Sequence, residues 1–99
     1  MPKTVKVGPH VYTVLRKTVA QMPVVGEGKP NGYCDKDQAQ VCIAARGRRS
    51  KLQEWTIHEF LHAIWPDGDE NEERHVTELA PRLLQLIKDN PELVGYLAQ

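Results

Sequence analysis

Cysteine is scarce in this chain: two in 99 residues. That is too few for the disulfide framework of a small secreted fold, and it points to a reducing compartment, the cytoplasm. An excess of one charge is missing as well. Lys plus Arg and Asp plus Glu stand at 13 each. The chain therefore lacks the basic surplus that draws proteins to nucleic acid or to an anionic membrane surface. Apolar runs are only a few residues long, far short of a membrane span. Met1 to Lys3 alone precede the first strand-like run, so no signal peptide is expected. No repeat or low-complexity segment is present. What remains is an ordinary globular composition, 40% hydrophobic and 26% charged. At this length it fits a single domain, residues 1–99, whose modest core needs support from a metal or a partner.

The pattern changes near residue 46, from short strands to helices. Thr4–Val7 and His10–Lys17 alternate and are rich in β-formers, with Gly8-Pro9 as the turn between them. Residues 22–32 hold two prolines and three glycines and read as a loop. Tyr33-Cys34 and Gln40–Ala44 form a second hairpin around a turn at Asp35–Ala39. With three residues at its tip, Cys34 and Cys42 would face each other as two small half-buried side chains. Ser50 and Gln53 match a capping box that opens a helix, which Pro66-Asp67-Gly68 stops. Asp69 and Glu72 match a second box. That helix runs through Val76, Leu79, Ala80, Leu83, Leu84 and Ile87, and Pro81 inside it should kink or split it. Asn90-Pro91 opens a short last helix to Leu97. The expected fold is α+β: a small antiparallel sheet packed on the first helix, with two further helices.

The first helix carries the informative run, His58-Glu59-Phe60-Leu61-His62. Histidines at i and i+4 share one face of a helix and can reach one ion. Glu59 lies about a quarter turn away, beside a metal-held water rather than on the metal. Around the motif stand Leu52, Trp55, Ile57, Phe60, Leu61, Ala63, Ile64 and Trp65, a helix apolar nearly all round and therefore buried. Two histidines and a glutamate inside it cost several kcal/mol unless satisfied, and a divalent cation satisfies them directly. The competing reading is a pair of core histidines bonded to backbone, beside a surface glutamate.

A catalytic zinc takes three protein ligands and keeps one position open. On the second helix Glu72 and Glu73 flank the apolar stripe at similar angles, while His75 falls on the polar face. Periodicity does not choose between the two glutamates. The capping role assigned to Glu72 tilts the choice toward Glu73, for which the alternative is a carboxylate that merely complements the helix dipole.

His58-Glu59-Phe60-Leu61-His62-Ala63, a short linker, and Glu73-x-x-Val76-x-x-Leu79-Ala80-x-x-Leu83-Leu84 resemble the minimal zinc metallopeptidase domain of the ImmA/IrrE type. Small metallopeptidase-like proteins of phages and prophages are similar too. The resemblance covers residues 32–90 and implies a zincin-like fold, with Zn²⁺ on His58, His62 and Glu73 and Glu59 as general base. It also implies a protein or peptide substrate and, for a phage-encoded chain, the host cytoplasm. Two residues depart from that pattern: Val76 stands where the family has alanine, and Pro81 interrupts a continuous helix. Glu59 would take a proton from water and pass it to the leaving amine. An extended substrate would pair with Gln40–Ala44 as the sheet edge. Tyr12, Tyr33, Tyr96 and His75 are the candidate donors to the oxyanion.

Two rivals stand beside this reading. One is a zinc-binding interaction or regulatory module that cleaves nothing. The other is a SprT-like DNA-associated protease, suggested by Arg46, Arg48, Arg49 and Lys51. That run reads more simply as a solvated loop, and membrane and nucleic-acid partners are not expected. No targeting domain is evident, so a partner protein would supply specificity. Asp67–Glu73 carries five acidic residues in seven, which add negative potential near a cation.

Overall fold

A computed structural model of the chain describes residues 1–23 and 30–99. The element order is β1 (Thr4–Val7), β2 (His10–Lys17), a 3-10 turn (Val19–Gln21), β3 (Gly32–Asp35), β4 (Gln40–Ala44), α1 (Arg49–Ile64), α2 (Glu72–Asp89) and α3 (Pro91–Leu97). The loop expected over residues 22–32 falls largely on residues 24–29, outside the described residues.

The fold is α+β, but the sheet is mixed rather than antiparallel. Its order is β1-β2-β4-β3, and β2 runs parallel to β4, with Val14 opposite Val41 and Arg16 opposite Ile43. The two hairpins form as expected. They join side by side through β2 and β4, which leaves β3 on an edge and β4 inside. Val41, Cys42, Ile43 and Ala44 are all fully buried, because an interior strand covered on both faces needs an unbroken apolar run. The expectation that Gln40–Ala44 forms an edge is therefore corrected. Gly8 takes φ +57 in the first turn, a left-handed conformation that glycine adopts without steric cost.

One face of the sheet (Tyr12, Val41, Ile43 and Cys34) packs on Leu52, Trp55, Phe60 and Ala63 of α1. The other face packs Cys42 and Ala44 against Met22, Leu15 and Tyr33. In register, Cys34 faces Val41 and Cys42 faces Tyr33. A four-residue turn (36–39) replaces the three-residue tip. The two cysteines therefore lie on opposite faces, and both are free. Leu61 meets Val76 and Ala80 between α1 and α2.

Neither capping box forms. Arg48 is the N-cap of α1 and Asn71 that of α2, each without a side-chain cap. Pro81 does not split α2, which runs from Glu72 to Asp89. Pro81 and Thr77 are both exposed, so water can take over the carbonyl that the missing N–H leaves free. α1 is also less buried than an all-round apolar helix suggests: Ile64 is 63% exposed. No helix among the described residues is long and apolar enough to cross a membrane.

Candidate metal centre

α1 is wedged between two partners. Leu52, Phe60 and Ala63 face the sheet, while Ile57, Leu61 and Trp65 face α2. His58, Glu59 and His62 fall in the seam between these faces, as the 3.6-residue period requires. The two imidazoles lie edge to face with centroids 5.0 Å apart.

Glu73 enters the seam from the first turn of α2. One of its carboxylate oxygens lies 3.1 Å from His58 Nε2 and the other 2.7 Å from His62 Nε2. Ligand atoms of His58, His62 and Glu73 all fall within 4.8 Å of one another. Glu72 takes a different place. Its Oε2 lies 2.6 Å from His62 Nδ1, on the back of the ring. The two glutamates that periodicity leaves equivalent are thus separated, Glu73 among the imidazoles and Glu72 behind one of them.

These residues fit a zinc ion by their chemistry and spacing. Tetrahedral zinc with bonds of about 2.0–2.1 Å sets its ligand atoms roughly 3.3 Å apart, close to the two imidazole–carboxylate separations here. An imidazole nitrogen and a carboxylate oxygen this close need a hydrogen-bonding proton or a metal between them. Burial alone would depress the His62 imidazolium, but Glu72 and Glu73 on its two nitrogens outweigh it and raise the pKa.

Glu59 is 7% exposed. Burial pushes its carboxyl up to about 7; His62 opposes the rise and Glu73 adds to it. β3 makes room for it at Gly32. A Cβ there would lie 2.7 Å from the Cys42 carbonyl oxygen, 3.1 Å from Glu59 Cγ and 3.3 Å from Glu59 Oε2. Cys34 also lines the cavity, but burial and Glu59 push its thiol up to about 11. Its sulfur is not among the converging ligand atoms, which are those of His58, His62 and Glu73.

Two cavities adjoin the cluster. A cavity of about 780 Å³ extends toward Lys36 and Asp37, and one of about 400 Å³ extends toward Asn31 and Thr77. Both are lined by His58, Glu59, Glu73, Gly32 and Pro30.

A polar knot fixes where α2 starts. Asp69 Oδ2 accepts from Trp65 Nε1 at 2.9 Å and from His75 Nδ1 at 2.7 Å, while Oδ1 accepts from the Asn71 backbone at 2.9 Å. These bonds hold the Asp69 carboxyl at about 2. Lys36 Nζ donates to the Trp65 carbonyl (3.0 Å) and to Asp67 (3.2 Å), tying the β3–β4 turn to the end of α1. His75, expected on the polar face, is half-buried in the knot. Sequence reasoning missed Lys36, Gly32 and the role of Asp69; a glycine opening a strand was the one available sign of close backbone approach.

Of the four candidate oxyanion donors, Tyr33 lines the cavity, yet its ring packs on the far face of the sheet with Cys42 and Ala44, where its hydroxyl accepts from Lys17 Nζ at 2.6 Å. Tyr12 is in the core, Tyr96 is 70% exposed on α3, and His75 is held by Asp69. The Arg46–Lys51 run lies at the opposite end of α1 from His62.

Comparison with protein-family models, curated proteins and solved structures yields no match for this chain.

Proposed function

We propose that this chain is a zinc-dependent endopeptidase, with His58, His62 and Glu73 as metal ligands and Glu59 as general base. The observation that carries the reading is Glu73 spanning the two imidazoles, one oxygen to each Nε2 at 3.1 and 2.7 Å, beside a buried glutamate whose carboxyl titrates near 7. A bound zinc supplies Lewis acidity, polarising the scissile carbonyl and bringing a water toward a pKa of about 7. Glu59, buried beside the cluster, accepts a proton from the attacking water and hands it to the leaving amine. Among the described residues β3 pairs only with β4, and an extended peptide would add to its outer edge.

One observation favours a second reading, a zinc-binding regulatory module without turnover: none of the four side chains considered as oxyanion donors is free and adjacent to the triad. The test is metal content together with cleavage of a peptide library by zinc-loaded protein. Glu59→Gln should keep the metal and lose hydrolysis by roughly 10²–10⁴-fold. Zinc uptake with no cleavage of any peptide would favour the module, and no zinc uptake would overturn both readings.

A further inference from the structure

We infer that Glu72 is a positioning residue for the metal centre: it accepts the Nδ1 proton of His62, turns Nε2 toward the other ligands, and so sets the affinity of the site. The inference rests on the metal-centre reading above and adds a residue that touches neither metal nor substrate.

The argument begins with the ring. A neutral imidazole carries one N–H and one lone pair, and a metal takes the lone pair. The remaining N–H then needs an acceptor. Such a partner fixes the tautomer, stops rotation about the side-chain bonds and makes the ligand nitrogen more basic. His62 Nδ1 finds a carboxylate oxygen at 2.6 Å. The Glu72 side chain is 26% exposed against 71% for Glu73, so its bond is the better shielded from water. A charge-assisted hydrogen bond of this length is strong and directional.

Chain geometry supports the assignment. Glu72 and Glu73 are consecutive on the first turn of α2, so they point about 100° apart. That angle lets one turn of backbone place one carboxylate behind His62 and the next in front of it. The Asp69 knot holds this turn in place: Glu72 N bonds the Asp69 carbonyl at 3.2 Å, and His75 N bonds the Asn71 carbonyl at 3.0 Å.

The experiment is zinc affinity by chelator competition for the wild type, Glu72→Ala, Glu72→Gln and Glu73→Ala. Alongside it, NMR of the zinc-loaded proteins observes the His62 Nδ1 proton. Glu72→Ala should bind zinc roughly 10–100-fold more weakly and lose the slowly exchanging Nδ1 proton. Glu72→Gln keeps a carbonyl acceptor and should recover part of the affinity and the proton signal. Glu73→Ala should lose more affinity than either. Glu72→Gln also serves should the alanine variant fail to fold. An affinity of Glu72→Ala within about twofold of wild type overturns the inference. So does a loss equal to that of Glu73→Ala without recovery in Glu72→Gln, which would make Glu72 a ligand. Wild-type protein that binds no zinc would instead sink the underlying metal-centre reading.

Discussion

The α1–α2 pair is built in opposite ways at its two ends. At the triad end, polar side chains tie the helices together, Glu72 and Glu73 to His62 and Asp69 to Trp65 and His75, while Lys36 of the β3–β4 turn bonds the Trp65 carbonyl just past α1. At the other end α2 exposes Leu86 and Ile87, and α3 exposes Leu93, Val94, Tyr96 and Leu97 and buries nothing. A cross-helix hydrogen bond there runs from Lys88 Nζ to Gln53 at 2.8 Å. Between the ends lie Leu61, Val76 and Ala80, all buried. Apolar burial holds helices together but has no direction, whereas hydrogen bonds fix atoms to within a few tenths of an ångström. The protein places its directional bonds at the end that carries the histidine–glutamate cluster.

The largest expected effects fall at the triad end. Zinc at about 100 times its Kd should stabilise the fold by about 2.7 kcal/mol, a rise in Tm of roughly 10–20 °C for a domain of this size. His58→Ala should abolish the rise. A Tm indifferent to zinc would remove the reason for so many polar contacts at this end. The metal-free protein should show the cost of the same arrangement. The Glu59 carboxyl titrates at about 7 when folded against 4.5 when free. The folded state therefore holds its proton more tightly, and that stabilisation is full below about pH 4.5 and lost as pH rises through 7. Metal-free Glu59→Gln should match the wild type at low pH and exceed it by about 3 kcal/mol above pH 8. Urea melts across pH 4–8 would measure this gap, and a constant difference would mean that Glu59 is solvated.

In the apolar middle, Val76→Ala should cost about 2 kcal/mol, since the side chain is fully buried, and it should leave zinc affinity nearly unchanged. A loss of affinity comparable to that of Glu72→Ala would show that packing, not hydrogen bonding, sets the ligand geometry. The knot has a pH signature of its own. The Asp69 carboxyl lies at about 2 against 3.8 when free. Its contribution is present above about pH 4 and lost as pH falls through 2. Acid melts should therefore be shallower for Asp69→Asn than for wild type; parallel curves would reduce Asp69 to an ordinary surface carboxylate.

Local signals carried much of this architecture. The strands at 4–7, 10–17 and 40–44 and the helix at 91–97 follow from alternation, turns and Asn90-Pro91. The partnering of β2 with β4 does not, because pairing between strands distant in sequence leaves no periodicity to read. A sign was nonetheless present: Val41-Cys42-Ile43-Ala44 has no polar face and so belonged inside a sheet. The His58-Glu59-x-x-His62 cluster was legible because one helix fixes its geometry. The difference between Glu72 and Glu73 was not, since it depends on how α2 meets α1. Asp69 takes part in that meeting, its carboxylate serving Trp65 and His75 instead of capping a helix.

The smallest expected effect belongs to α3. Leu97 is 71% exposed, so replacing it moves little apolar surface out of contact with protein. Leu97→Ala should change stability by no more than about 0.5 kcal/mol and leave zinc affinity and the Asp69 acid limb untouched. Thermal melts over a tenfold range of protein concentration would check this for wild type and variant together. A loss of 2 kcal/mol, or a Tm that rises with concentration in the wild type and not in the variant, would mean that α3 packs against another molecule in solution. The loosely held end would then be an interface, and the contrast between the two ends would become one between two kinds of contact rather than between order and slack.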